Sequence, residues 1–258
     1  MFTLNSFQLL TLISSIFWPM VRILSFFSIA PVFNDKLINK KIKIGLAVII
    51  SFLISPVLPE VHTVLFSYFG ILLLFQQILI GFVLGFTAQL LFAVVNFSGE
   101  IIGLQMGLSF ANFFNSNSHI GASIISRLLN IIFFLFFLSL NVHLYLIAIL
   151  VDSFYSMPID YYFLNSSIFL ILLKFSSHIF LSGLLLIFPV IITLLTVSCV
   201  MSIANRFAPQ ISIFSIGFPL NLLAGIFALY YLSSIVFPFF ENSLHELMYF
   251  ISQTFLKT

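Results

Sequence analysis

Glu100 and Asp152 are acidic residues that border long apolar runs, and acids in such a setting are candidate proton carriers. Both lie near the ends of predicted helices, so each could instead cap a helix or pair with a basic side chain. The five His residues have no His or Cys three or four positions further on, so the spacing typical of a zinc site is missing. The sequence contains neither a glycine loop ending in Lys-Ser or Lys-Thr nor a Gly-x-Ser-x-Gly elbow. We therefore predict no catalytic residue, no metal site and no cofactor.

Arg22 is the charge that most needs an explanation, because it lies well inside the first apolar run beside Trp18 and Pro19. An unpaired arginine in an apolar interior is costly, and its depth in the run makes an escape to the membrane surface difficult. We expect Arg22 to be buried against a carboxylate, a group of backbone carbonyls or a wet cavity, in this chain or in another subunit.

The composition places these residues in a membrane-type chain. Of 258 residues, 62% are hydrophobic and 6% are charged, against about 45–50% and 25% in ordinary soluble domains. No charge occurs between Glu60 and Glu100, or between Arg206 and Glu241. These gaps exclude a soluble enzyme, a nucleic-acid-binding protein and a disordered chain, and the net charge of +2 is too small to indicate an acidic partner.

The apolar runs are long and uninterrupted, which favours helices over the short alternating strands of a membrane barrel. We predict an all-α, polytopic membrane protein with about six long hydrophobic helices, some kinked or broken, the last two forming a helical hairpin. The six predicted runs are Phe7–Phe33, Ile44–Leu58, Val64–Val95, Ile124–Val151, Ile168–Ala204 and Ile211–Phe240.

Basic residues predict the orientation of these spans, since they accumulate on the cytoplasmic side of a membrane protein. Six spans with the N-terminus outside put six basic residues in the cytoplasm and two, Lys174 and Lys257, outside. The six are Lys36, Lys40, Lys41, Lys43, Arg127 and Arg206.

A tight turn is predicted between the last two helices, at Arg206, Pro209 and Gln210. Pro209 has no backbone N–H and disfavours helix at the residue before it. Arg206 would end the incoming helix, where the helix dipole favours a cation. We expect this turn to face the cytoplasm.

Glycines predict close contacts between helix backbones. Gly99, Gly103 and Gly107 recur every four residues, and Gly81 and Gly85 form a second pair with that spacing. Residues four apart share a helix face, and a face of glycines lets another backbone approach closely. Whether the contact lies within the chain or between subunits is left open.

Residues 99–119 lead from this glycine stripe into a segment that mixes Phe110, Phe113 and Phe114 with Asn and Ser. Such a segment does not suit a lipid-facing helix. It suits a loop that holds apolar side chains in a pore, because hydrophobic constrictions close by dewetting. The alternative is a loop packed into the core of the fold.

A family resemblance covers the whole chain. The run Asn205–Gln210, followed by Ile216-Gly217-Phe218-Pro219, resembles the C-terminal signature of the FliR/SctT family of type III secretion export-gate membrane proteins, in its flagellar branch. The run Gly103–Gly107 with Phe110, Arg22 with Pro31, and the stretch from Asn141 to Asp152 are similar to that family as well.

The resemblance implies a non-enzymatic subunit of the flagellar export gate in the bacterial inner membrane, at the flagellar basal body. It implies several FliP-like and FliQ-like partners, an FlhB-like partner and unfolded export substrates, with much of the assembly raised out of the bilayer. Residues 1–165 would be FliP-like and residues 166–258 FliQ-like. The aromatic plug of the family maps onto Phe110 and Phe113, with Phe114 adjacent. The alternative function is a small-molecule permease or channel, which would be stable alone or as a symmetric oligomer.

Overall fold

The computed structural model describes residues 6–34, 38–58, 68–108, 123–159, 167–207 and 216–255. Within these residues the chain forms seven helices and no strand, which confirms the all-α class. The helices are α1 (Ser6–Ile29), α2 (Lys40–Ile54), α3 (Tyr68–Gln105), α4 (Ile124–Ser139), α5 (Val142–Ser156), α6 (Ser167–Phe207) and α7 (Phe218–Phe255).

The helices give fewer candidate membrane spans than the six apolar runs predict. Three of the described helices, α3, α6 and α7, are long and apolar enough to cross a bilayer, and a fourth span exists if α4 and α5 count as one. Helix α2 has 15 residues and extends about 22 Å, which is short of the roughly 30 Å of a hydrocarbon core. The prediction of a polytopic helical membrane protein is confirmed, and the span count is lower in the described residues.

The fourth apolar run is two helices rather than the single helix predicted. Helices α4 and α5 meet at 63°. Asn141 lies between them in the left-handed conformation, with φ of 53°. Asn tolerates this conformation better than most residues, and one such residue is enough to end a helix. Because the residues on both sides of Asn141 are apolar, hydropathy averaged along the run does not indicate the break.

Helix α3 continues ten residues past the predicted end of its run and stops at a glycine. Gly107 has φ of 80°, the N–H of Leu108 donates to the Gly103 carbonyl at 3.0 Å, and the N–H of Gly107 donates to the Leu104 carbonyl at 3.0 Å. This is a Schellman C-cap, which requires a residue in the left-handed region. Gly107 therefore terminates the helix, and buried Gly103 accepts the capping bond.

The last two helices are neighbours, as the predicted hairpin requires. The Asn221 Nδ2 donates to the Ser198 Oγ at 3.2 Å, near the turn. At the other ends of the same helices, the rings of Phe175 and Phe250 stack with centroids 3.9 Å apart. Pro219 is the second residue of α7, a position that tolerates the missing N–H of proline.

The chain divides into two compact units. The first contains residues 1–90, 141–176 and 246–258, and the second contains residues 91–140 and 177–245. Large buried side chains of the first unit are Trp18, Phe26, Phe27, Leu73 and Phe154, and those of the second are Phe133, Phe137, Leu194 and Phe240. The division of the chain into a FliP-like part, residues 1–165, and a FliQ-like part, residues 166–258, is a different one and stays a prediction.

Helices α1 and α3 cross with their backbones almost in contact, inside the first unit. A Cβ added to Gly85 would lie 3.0 Å from the Phe26 carbonyl oxygen, and one added to Gly81 would collide with the Arg22 carbonyl oxygen. Ser25 Oγ donates to the Ile78 carbonyl at 2.7 Å across the same crossing. The two glycines therefore permit an approach that any side chain would obstruct.

Replacing Gly85 with Ala is expected to lower the free energy of unfolding by roughly 1–3 kcal/mol, because the added methyl presses on the α1 backbone, which has little room to move. The matched control is Gly45→Ala in α2, where an added Cβ has no atom within 4 Å. That control should be neutral or stabilising by up to about 1 kcal/mol, since Ala favours a helix. Thermal unfolding of the detergent-purified protein measures both. Equal midpoints for the two variants would contradict the close crossing.

Candidate functional site

Arg22 is fully buried within the first unit and is held by neutral groups. Its Nε donates to Gln77 Oε1 at 2.7 Å. Its Nη1 donates to the Ser153 carbonyl at 2.8 Å and to Ser153 Oγ at 3.1 Å, and its Nη2 donates to the Met157 carbonyl at 2.8 Å. No carboxylate contacts the guanidinium in the part of the chain that the structure describes.

The guanidinium sits at the C-terminal end of α5, which explains how a cation is held without an acid. Ser153 belongs to the last turn of α5, and Met157 follows the helix as its C-cap residue. The carbonyls at such an end carry the negative end of the helix dipole. Arg22 donates to the Met157 carbonyl and is a second donor to the Ser153 carbonyl, which also accepts the Met157 N–H at 3.0 Å, and both carbonyls offset its charge.

Aromatic packing completes the surroundings of Arg22. Its Cζ lies 4.1 Å from the centroid of the Phe154 ring, which is a cation–π contact. Trp18, one turn earlier on α1, is 1% exposed. Gln77 and Ser153 were not singled out from the sequence. The sequence signal that was available for both is their polar character inside otherwise apolar runs.

Glu100 and Asp152 have different surroundings. Glu100 Oε1 accepts a hydrogen bond of 2.8 Å from the backbone N–H of Ser123, the N-cap residue of α4. Glu100 therefore caps a helix, which is one of the roles that the sequence allows. The Asp152 side chain is exposed on α5, so this chain does not bury it.

A polar network joins α3 to α4 in the second unit. Ser126 Oγ donates to the Asn96 carbonyl at 3.1 Å and to Asn96 Oδ1. Asn130 Nδ2 donates to Asn96 Oδ1 at 3.0 Å. A Cβ on Gly99 would collide with the backbone of Ser126, so the two helices touch here as well. The order of these contacts shows that α3 and α4 run antiparallel.

The predicted plug residues Phe110, Phe113 and Phe114 lie outside the described residues, as do Pro209 and Gln210 of the predicted turn. Arg206 is described and exposed in the last turn of α6. Within the described residues, no three His, Cys, Asp or Glu side chains come together as metal ligands would.

The exposed surface of α6 and α7 is apolar along most of its length. In the most apolar part of α3, 56% of the residues are buried, against 22% in α6 and 17% in α7. Exposed apolar side chains of α6 extend from Leu173 to Phe207, and those of α7 extend from Phe218 to Tyr249. A face of this kind is covered by lipid or by another protein.

Replacing Arg22 with Met is expected to destabilise the protein by several kcal/mol, because Gln77 Oε1 and the Met157 carbonyl lose the donor that Arg22 supplies. Arg22→Lys retains the charge and one donor group, so the stability of that variant should lie between those of the wild type and Arg22→Met. The control is Arg127→Met, at an exposed position, with an expected effect within about 0.5 kcal/mol. The yield of folded protein in membranes and its thermal midpoint measure the difference. An Arg22→Met protein as stable as the control would show that the buried contacts are dispensable.

Comparison with known proteins places this helical arrangement in a family. The family model described as bacterial export proteins, family 1, matches residues 13–247. A protein named flagellar biosynthetic protein FliR from Buchnera aphidicola subsp. Acyrthosiphon pisum is 66% identical over 99% of this chain and 99% of its own length. The protein of the same name from Escherichia coli is 45% identical over 96% of this chain and 95% of its own length. The protein of that name from Aquifex aeolicus is 33% identical over 86% of this chain and 84% of its own length.

The matched region includes most of α1 with Arg22, both glycine crossings and most of the last hairpin. The chain therefore belongs to the bacterial export proteins, family 1, which is the FliR/SctT family indicated by its sequence motifs.

Proposed function

We propose that this chain is a non-enzymatic subunit of a flagellar type III protein export gate in the bacterial inner membrane. In this role it joins FliP-like, FliQ-like and FlhB-like subunits and helps to form and close the pore through which unfolded substrates pass. The name shared by its relatives supports the flagellar assignment, and the exposed surface of the chain supports the partners.

The length of the exposed apolar surface is the observation that carries the proposal. Between the exposed charges Lys174 and Arg206, α6 carries no Asp, Glu, Lys or Arg, and this stretch measures about 48 Å at 1.5 Å per residue. A bilayer core is about 30 Å thick, and spanning helices tilt by at most about 40°. A tilt of that size still leaves about 37 Å of height along the membrane normal. Lipid alone therefore does not cover this face, and helices of partner subunits would cover the rest.

Closure of the pore is assigned to the connection between α3 and α4. Residues 109–122 separate two antiparallel helices whose facing turns are already bonded to each other. Helix–helix connections of this kind usually need about 2–8 residues. A longer connection carrying Phe110 and Phe113 has the apolar groups and the reach to fill a constriction.

Replacing Phe110 and Phe113 with Ala, or deleting residues 109–114, is expected to make the assembled complex leak ions at rest. Burying each Phe is worth roughly 1.5–3 kcal/mol, so losing two shifts the closed population by upwards of about a hundredfold. Conductance of the reconstituted complex, measured with its subunit composition, is the test.

The control for this experiment is Phe52→Ala with Phe75→Ala, which removes two exposed rings elsewhere. Leak with normal assembly in the plug variants alone supports the proposal. Lost assembly with tight membranes would show that the segment packs in the core of the fold.

The predicted orientation gives a separate test. Cys199 is the single cysteine, so a Cys199→Ala background leaves no thiol. A cysteine introduced at exposed Phe207 should react with an impermeant thiol reagent only from the cytoplasmic side, and one at exposed Asp152 only from outside. The opposite pattern of labelling would overturn the arrangement with the N-terminus outside.

A further inference from the structure

Helix α2 is basic at its start and apolar along the rest of its length. Lys40, Lys41 and Lys43 belong to its first turn, whereas residues 44–54 carry no charge. Within the described residues, no carboxylate forms an ion pair with these three ammonium groups. Residues 35–43 contain four lysines and one acid, Asp35, so this end of the helix carries a net positive charge.

The side of α2 that faces away from α1 is exposed and apolar. Ser51 is fully buried, and its Oγ donates to the Ile16 carbonyl of α1 at 2.7 Å, so α2 packs on α1 by this side. Residues four and seven positions apart share a helix face. The opposite face carries Ile42, Ile49 and Leu53, which are 57%, 61% and 66% exposed. The surface that α2 presents to its surroundings is therefore apolar.

The length of this surface distinguishes α2 from α6. Residues 44–54 extend about 16 Å at 1.5 Å per residue. One leaflet, or half of the roughly 30 Å hydrocarbon core, has nearly the same thickness. Lipid alone therefore covers the apolar part of α2, from the level of the phosphates to the middle of the bilayer, whereas the uncharged stretch of α6 is too long for it.

The far end of α2 turns with its polar groups bonded inside the chain. The Ser55 N–H donates to the Ser51 carbonyl at 2.9 Å, and the Ser55 Oγ donates to the Ser15 Oγ at 3.2 Å. The Val57 carbonyl accepts a hydrogen bond of 3.3 Å from the Tyr155 hydroxyl. A chain that turns at membrane depth must satisfy its polar groups within the protein. The far end of α2 therefore suits apolar surroundings, and the lysine end suits the membrane surface.

The charges favour lipid over protein as the cover of α2. Clustered ammonium groups repel one another, so a protein that covered them would have to supply several acids. Phospholipid headgroups supply phosphates at the depth where the apolar surface ends. Lysine stems lie along apolar surface while their ammonium groups reach a polar layer. One class of molecule, an anionic phospholipid, therefore complements both parts of α2.

We propose that α2 is a half-bilayer anchor that binds anionic phospholipid. Lys40, Lys41 and Lys43 bind the headgroup phosphates, and the exposed apolar side chains of residues 42–53 contact the acyl chains. The predicted orientation places these lysines at the cytoplasmic leaflet. The anchor does not depend on the pore or on its closure.

The first experiment measures the lipid affinity of the complex that contains this chain, purified in a neutral detergent. Phosphatidylglycerol and phosphatidylcholine are titrated separately, and bound lipid is counted by native mass spectrometry. The triple variant Lys40→Gln, Lys41→Gln, Lys43→Gln should bind phosphatidylglycerol at this site roughly a hundredfold more weakly, since each basic residue near anionic lipid contributes about fivefold. Binding of phosphatidylcholine should be unchanged.

The matched control removes the same charge from isolated exposed positions, with Arg127→Gln, Lys174→Gln and Arg206→Gln. It should bind phosphatidylglycerol as the wild type does, and so should a variant with arginine in place of the three lysines. Wild-type affinity in the lysine-to-glutamine variant would contradict the proposal. An equal loss in the control would also contradict it, because the response would then follow net charge alone.

The second experiment identifies what covers the apolar face. A fluorophore is attached at Leu53→Cys in a Cys199→Ala background, with partner subunits that lack cysteine, and the complex is reconstituted in vesicles that contain phosphatidylglycerol. Lipids brominated near the ends of their acyl chains should quench this probe strongly, because residue 53 lies near the middle of the bilayer. The same probe at exposed Asp152→Cys should be quenched far less. An unquenched probe at residue 53 would show that protein covers α2 and would overturn the proposal.

Discussion

Polar groups that lie among apolar side chains must find their partners inside the protein, and the structure is organised by how it meets this constraint. Arg22 shows it most clearly. Its guanidinium is fully buried and uses two carbonyls at the end of α5, a serine hydroxyl and the amide oxygen of Gln77. Residues far apart in the sequence, 22, 77 and 153, are thereby tied together, so a single cation positions three helices.

The same constraint explains the glycines and the connection between α3 and α4. Gly81 and Gly85 let α1 approach α3 closely enough for Arg22 and Gln77 to bond. Gly99 lets α4 approach closely enough for Glu100 to reach the N–H of Ser123. In both places a missing side chain brings backbones together, and a polar group then secures the contact. The helices are closely packed at these crossings, while many apolar side chains of the outer faces are exposed in the described residues.

Sequence reasoning succeeded where a property depends on local pattern and fell short where it depends on distant partners. Apolar runs predict helices, and glycine spacing predicts a close approach at Gly81 and Gly85. The need of Arg22 for a partner follows from its depth, but Ser153 lies 131 positions away and no local signal links the two. The break at Asn141 and the cap at Gly107 depend on single backbone conformations that hydropathy does not register. The glutamate that caps α4 belongs to another helix, so a search of the segment itself does not reveal it.

The central claim is that the exposed apolar helices of this chain are covered by non-identical partner helices. The most direct test is the native mass of the complex purified by a tag on this chain, after expression together with the FliP-like and FliQ-like proteins of the same genome. The account predicts a single copy of this chain in an assembly with several copies of the other two. A chain that purifies alone, or as a symmetric oligomer of itself with the other proteins left behind, would contradict it.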